Sequence, residues 1–290
     1  MIEQLRYVRL PTTDLIAAEE FARNVIGLAV ASVGSDYAKF RSDQRSYSLE
    51  YDASGATCTP TIAVEVRTPE LLDGIATKLS ALSLSPIDFT NEQCLKREVY
   101  AGIAFVDYSG NGIEIVVRAH NKGRRPFLSR DAGITAFSGL AFRSAAMEQD
   151  LRLWCEVLGC EVRDYVGGSA FLGFDKLHHR IALHPGSVPG LLSMVFEVEN
   201  FENVMQSLYF LSDRQIRVVD GPGCEPFSDK IFLSFSGRDG FIFTYCTGIS
   251  NVGEHWRPRQ FADVRESFCC WNSPVLIPEL VGKQSRWAKL

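Results

Sequence analysis

Apolar and polar positions along this chain follow two periods, and the periods recur in a fixed order. Leu5–Leu10 alternates loosely, which predicts a strand. Thr12-Thr13-Asp14 then offers helix caps, Leu15, Ala18, Ala22 and Val25 stand at helical spacing, and Gly27 is a stop. The order returns downstream. Phe137–Phe142 reads as a strand, Ser144 as a cap, Met147, Leu151, Trp154 and Leu158 as one apolar helix face, and Gly159 as the stop. Paired β-rich runs follow in each half, Tyr37–Phe40 with Tyr47–Tyr51 and Ser169–Phe174 with His179–Leu183. Each half continues with a Glu-Val strand, a second helix (Pro69–Leu82 and Phe201–Leu211), a loop and two closing strands. The order read is β-α-β-β-β, twice per half. Elements with one apolar face must bury it together, so sheets covered on one side by helices are expected, an α+β class.

The two halves share landmarks at one offset. Asn24-Val25-Ile26-Gly27-Leu28 matches Glu156-Val157-Leu158-Gly159-Cys160, and Val64-Glu65-Val66 matches Phe196-Glu197-Val198, both displaced by 132 residues. A constant offset means a duplicated module. The expected organisation is a first domain over residues 1–118, a linker over 119–134, and a second domain with a tail over 135–290. The aromatic tail (Trp256, Phe261, Phe268, Trp271) is expected to wrap onto the second module or onto an oligomer partner.

Composition narrows the function. At 290 residues and 46% hydrophobic, the chain can fill two cores. Its net charge of −5 argues against nucleic acid, and Lys122-Gly123-Arg124-Arg125-Pro126 reads as a solvated basic linker. The opening Met1-Ile2-Glu3-Gln4-Leu5-Arg6 has no basic segment followed by an apolar run, and no stretch is apolar enough to cross a bilayer. No membrane partner and a cytoplasmic location are therefore expected. The eight cysteines include no Cys-x-x-Cys pair and are read as reduced thiols.

Several motifs carry a resemblance to a known family: Leu95-Lys96-Arg97-Glu98-Val99-Tyr100-Ala101-Gly102, Asp107-Tyr108-Ser109-Gly110 leading to Glu114, Arg125-Pro126-Phe127-Leu128, and Leu177-His178-His179-Arg180. With the two Val-(Ile/Leu)-Gly helix ends, they make the chain similar to the vicinal oxygen chelate (glyoxalase/bleomycin resistance/dioxygenase) superfamily. Within it, the length resembles two-domain type I extradiol ring-cleavage dioxygenases of the catechol and 2,3-dihydroxybiphenyl type. The likeness runs from Leu5 to about Asn272. It implies two tandem vicinal-oxygen-chelate domains, each of paired βαβββ modules, and a homo-oligomer.

The resemblance also implies ferrous iron held by two histidines and a glutamate in the second domain. Its ligand positions fall at Gly139, Ser193 and Thr244, none of which is a histidine or carboxylate. No slip restores them: histidine is absent from Gly133 to Val157 and from Gly190 to Tyr245, and no acid lies between Phe241 and Tyr245. The equivalent positions of the first domain, Tyr7, Thr61 and Glu114, make no site either, and Glu114 reads as a structural strand residue. The remaining histidines do not converge. As strand neighbours, His178 and His179 are expected on opposite faces, and His178 and His184 about 20 Å apart. The expectation is no metal and no cofactor.

The matching family histidine, a proton donor or acceptor beside substrate, falls at His179, which reads either as an acid–base group or as a core histidine. Glu225 stands where the family has a second histidine. It reads as the partner of His179 or as a solvated loop carboxylate, within a turn-rich run, Asp220–Pro226, at the pocket mouth. Cys224 reads as a nucleophile or an ordinary loop cysteine. The family's active-site tyrosine falls at Ser234. Exchange of His, His, Glu and Tyr for Gly139, Ser193, Thr244 and Ser234 makes a roomier, more neutral pocket, suited to a small aromatic or ring-cleaved ligand. Three functions compete: a metal-independent hydrolase, C–C lyase, decarboxylase or isomerase, a non-catalytic binding or structural paralogue, and an iron enzyme with unorthodox ligands.

Overall fold

The computed structural model describes residues 1–55, 59–124, 126–128, 130–253 and 255–283. Cys58 and Arg125 of the linker motif lie outside the described residues. Contacts divide the chain into two compact units. The first comprises Met1–Asp131 with Ala145–Cys160 and Pro189–Leu191. The second comprises Ala132–Ser144, Glu161–Val188 and Leu192–Leu290.

In the first half the chain runs β1 (Ile2–Pro11), α1 (Leu15–Phe21), β2 (Ala29–Val33), β3 (Tyr37–Arg41) and β4 (Leu49–Asp52). It then repeats as β5 (Thr61–Val66), α2 (Pro69–Ala81), β6 (Ile87–Asp88), α3 (Asn91–Arg97), β7 (Ala101–Val106) and β8 (Gly112–Val117). These strands form one eight-stranded sheet in the order β2-β3-β4-β1-β5-β8-β7-β6. The middle pair β1–β5 is antiparallel, and β1–β4 and β5–β8 are parallel, so the two βαβββ modules join edge to edge through their first strands.

The second half runs β9 (Ile134–Ser144), α4 (Met147–Arg152), β10 (Glu161–Val166), β11 (Ser169–Gly173) and β12 (Ile181–Pro185). After β13 (Gly190–Val198) come α5 (Phe201–Asp213), β14 (Val218–Cys224), β15 (Ile231–Ser236) and β16 (Ile242–Thr247), with β17 (Arg259–Phe261) and α6 (Arg265–Phe268) in the tail. Its nine strands are ordered β14-β15-β16-β13-β9-β12-β11-β10-β17. This is the two-domain α+β vicinal oxygen chelate architecture.

Local chemistry explains the repeat. The Asp14 carboxylate accepts from Ala17 N and caps α1. Both α1 and α4 pass into a π turn, Ala22–Ile26 and Leu153–Val157. Each ends at a glycine with positive φ, 86° at Gly27 and 78° at Gly159, where a side chain would be strained. Ser144 does not cap α4. It ends β9, and the cap position is Ala146. Among the described residues no side chain caps α4; Ser109 Oγ instead fixes the chain just ahead of it, accepting from the amides of Ala145 and Ala146 at 2.9 and 3.2 Å.

In the second unit, Phe171, Phe227, Phe268, Leu192, Val219 and Ile277 form the largest part of an apolar cluster. The tail closes back on this unit. β17 runs parallel beside β10, and Trp256 Nε1 donates to Arg163 O at 2.7 Å. No helix among the described residues is long and apolar enough to cross a membrane.

Candidate active site

The second unit encloses a cavity that gives the centre of a water-sized sphere about 70 Å³ of free space, room for several waters or a small ring. Gly139, Ser193, Ser234 and Thr244 all line it, with His179 and Glu225. Apolar walls come from Phe171, Leu192, Val195 and Phe232.

At the three positions where the resemblance implies ligands, the donor chemistry does not fit iron. Gly139 has no side chain, and a Cβ there would lie 3.1 Å from Arg180 O and 3.5 Å from Val195 Cβ. Ser234 and Thr244 are cross-strand partners in the β15–β16 ladder, and their hydroxyl oxygens meet at 2.8 Å. Thr244 thus spends its hydroxyl on a neighbour, and Ser193 offers one more neutral oxygen. Among the described residues, no group of three or more His, Cys, Asp and Glu side chains is placed to hold a metal ion.

The histidines correct two sequence expectations. His178 and His179 precede β12 rather than forming its start, and their side chains do not diverge. Outside the strand, the two rings are free to come into contact. Their Nδ1 atoms come within 3.1 Å, and the rings meet edge to face with centroids 5.3 Å apart. His178 Nε2 lies 2.9 Å from Asp164 Oδ2, which is wholly buried on β10. Arg259 of the tail holds the same carboxylate through its backbone amide (2.7 Å) and its guanidinium (2.6 Å).

This chain assigns the tautomers. A carboxylate only accepts, so His178 carries its proton on Nε2 and presents a bare Nδ1. His179 donates to it from Nδ1, which leaves its Nε2 lone pair to accept from Lys230 on the cavity wall. Burial, reinforced by Lys230, His178, Arg180 and His184, lowers His179 well below the ordinary histidine range, so its ring is neutral. His178 is also lowered by burial, against the pull of Asp164. His184 is pushed down to about 4 by burial.

Lys230 is the site residue that sequence reasoning missed. Its Nζ lies 3.1 Å from His179 Nε2 and 2.6 Å from Glu225 Oε1. His179 and Glu225 approach only to 3.7 Å, so the ammonium bridges the two. Ser228 Oγ fixes the other carboxylate oxygen at 2.6 Å. The placement is local. Glu225 N donates to Lys230 O and Asp229 N to Glu225 O, both at 2.9 Å, closing a tight turn whose ends face each other. Pro226-Phe227-Ser228-Asp229 between an acid and a lysine was the available signal.

The run Asp220–Pro226 is also not a loop throughout: Val218–Cys224 forms β14 with a cis Gly221–Pro222 bond, and Asp220 and Glu225 reach the cavity. Cys224 is not among the cavity residues, and burial together with neighbouring Cys270 pushes its thiol up to about 12, the wrong direction for a nucleophile.

The corresponding region of the first unit is filled. Tyr7 donates to Glu114 at 2.6 Å, and Arg97 Nη2 lies 2.6 Å from the other carboxylate oxygen. Arg9 reaches Asp52 at 2.6 Å, and Tyr7 stacks on Tyr47 with centroids 4.7 Å apart. Glu114 is the anchor of this buried ion cluster, a structural strand residue.

No protein-family model matches the chain. It is 28% identical to an iron-dependent extradiol dioxygenase of Rhodococcus jostii over 287 residues, 89% of this chain and 94% of that protein. It is 25% identical to 3-methylcatechol 2,3-dioxygenase of Pseudomonas putida over 276 residues, covering 88% and 93%. Among solved structures, BphC, a halotolerant catechol dioxygenase, superimposes with a TM-score of 0.86 at 17% identity over 97% of each chain, a likeness of fold. The chain is therefore an extradiol-dioxygenase-like protein with the two-domain vicinal oxygen chelate fold.

Proposed function

We propose that this protein is a metal-independent enzyme acting on a small aromatic or ring-cleaved compound, with His179 as its acid–base group. One observation carries the reading. The cavity that should hold iron offers Gly139, Ser193 and Thr244 instead, and it keeps a neutral imidazole backed by a buried Lys–Glu pair. A neutral Nε2 can take a proton from a bound ligand, and the adjacent ammonium and carboxylate can return it. The apolar walls suit a ring or diene, and the one O–H that the Ser234–Thr244 pair leaves over suits an oxygen substituent. Hydrolysis, C–C lysis, decarboxylation or isomerisation would each use these groups. The catechol substrate in the name of the P. putida relative supports an aromatic ligand. We extend the proposal to a homo-oligomeric, cytoplasmic protein in which residues 135–290 carry the site.

The test is turnover with a panel of catechols and ring-opened dienoates, wild type against His179→Ala. The expected loss is about 10²–10⁴-fold, the usual contribution of a positioned acid–base group. Equal turnover would remove His179 from the chemistry, and binding without any product would make the protein a ligand-binding paralogue. A second reading, iron-dependent ring cleavage through other ligands, draws on the iron dependence of the R. jostii relative. It requires stoichiometric metal in the purified protein.

A further inference from the structure

Lys230 stands buried at the cavity wall with a proton acceptor on either side of its Nζ. The residue is 8% exposed, its neighbours on that wall include Phe232 and Cys246, and its Nζ sits between a carboxylate and an unprotonated imidazole nitrogen. A desolvated lysine is the usual source of an amine nucleophile toward carbonyl carbon. The local charges also argue against simple anion binding. Glu225 neutralises Lys230, and Arg180 is already engaged by Asp175 at 2.8 Å and by Ser138 O at 3.0 Å. Asp220, on the cavity wall, is paired with Arg265. No surplus cation is left for a ligand carboxylate among these groups, whereas a neutral carbonyl needs none.

Building on the function proposed above, we propose that Lys230 captures the ligand's ketone or aldehyde carbonyl as a Schiff base, so that the substrate class is a carbonyl compound with an apolar or aromatic body. The step balances within the three side chains. The Lys230 proton passes to Glu225 Oε1 and frees the nitrogen lone pair. Nζ attacks the carbonyl carbon, the C–O π electrons move to oxygen, and that oxygen takes the proton back from Glu225. His179 Nε2 removes one proton from the nitrogen and delivers it to the new hydroxyl, which leaves as water while the C=N bond forms. The products are a cationic imine, one water, the Glu225 carboxylate and neutral His179. Nothing is oxidised or reduced, and the imine is the electron sink that would drive C–C cleavage or decarboxylation without a metal.

The experiment incubates the whole protein with benzaldehyde and sodium cyanoborohydride and maps benzyl adducts by peptide mass spectrometry. Benzaldehyde binding is measured in parallel by calorimetry without the hydride. The expected result is binding, and a hydride-dependent adduct on Lys230 that forms ahead of any on exposed Lys176. Lys230→Arg, which keeps a cation opposite Glu225 but forms no imine, is expected to lose the adduct while its circular dichroism stays that of wild type. The mapping in wild type decides the matter even if that variant fails to fold. Binding with no preferential adduct on Lys230 overturns the Schiff base and leaves the aromatic-pocket reading standing. Absence of binding removes both.

Discussion

At the residue scale, burial and hydrogen bonding decide which groups carry charge. His184 sits 3% exposed with its Nδ1 2.9 Å from Ser169 Oγ, and burial pushes it down to about 4. The unfolded chain takes up that proton near the ordinary histidine value of about 6.5. Below it the unfolded state binds more protons, so this histidine's contribution to stability is lost as pH falls from about 6.5 to about 4. The size is on the order of 3 kcal/mol. Asp107 and Asp220, both raised to about 6 by burial, act in the opposite sense, because the folded state protonates first. The contribution is therefore read as a difference: urea midpoints of wild type and His184→Gln should converge as pH drops through this window. A gap that stays constant with pH would contradict it. In the first unit, Arg97→Ala would leave Glu114 buried beside Tyr7 without its main counter-charge. The expected loss is about 3–5 kcal/mol in chemical denaturation, against about 1–3 kcal/mol for Tyr7→Phe.

At the element scale, the duplicated helix ends were legible before any coordinates. The 3.6-residue stripe and its glycine stop recur at a constant offset, and the stops have the positive φ that only glycine adopts freely. Gly27→Ala should cost about 1–2 kcal/mol for the left-handed conformation alone. Gly159→Ala should cost more, because its Cβ would lie 2.9 Å from Met1 Cβ. Thermal unfolding of the two variants tests the ranking. The succession of the named strands along the chain was legible for the same reason, since periodicity survives where one face is buried, but β2, β6, β10 and β14 were not read as strands and the order within the sheets was not legible. The histidine geometry was not legible. Alternation places neighbours on opposite faces only inside a strand, and His178 and His179 lie just before one. Lys230 was hidden as well, because a tight turn brings together residues whose period is neither helix nor strand. A serine before an apolar stripe suggested a cap for α4, but Ser144 is still in the strand and, among the described residues, no side chain caps that helix.

At the scale of the whole molecule, one duplicated architecture has been completed in two ways. In the first unit the matching positions join a buried cluster of arginines, carboxylates and stacked tyrosines. In the second they line an open cavity, among small and apolar residues, with one buried acid–base cluster. Buried ion clusters of the first kind spend their charges on one another. The fold alone does not decide between dioxygen chemistry and another reaction, because function lives in the side chains of the site. Here those side chains include a glycine and two alcohols at the positions where the resemblance implies iron ligands, set against the iron dependence of a relative 28% identical. The most direct measurement is the metal content of protein made in iron-supplemented cells and purified anaerobically under reducing conditions, read together with catechol turnover. The account predicts iron and manganese well below one atom per chain and no ring-cleaved product. One tightly held atom per chain with catechol cleavage would contradict it.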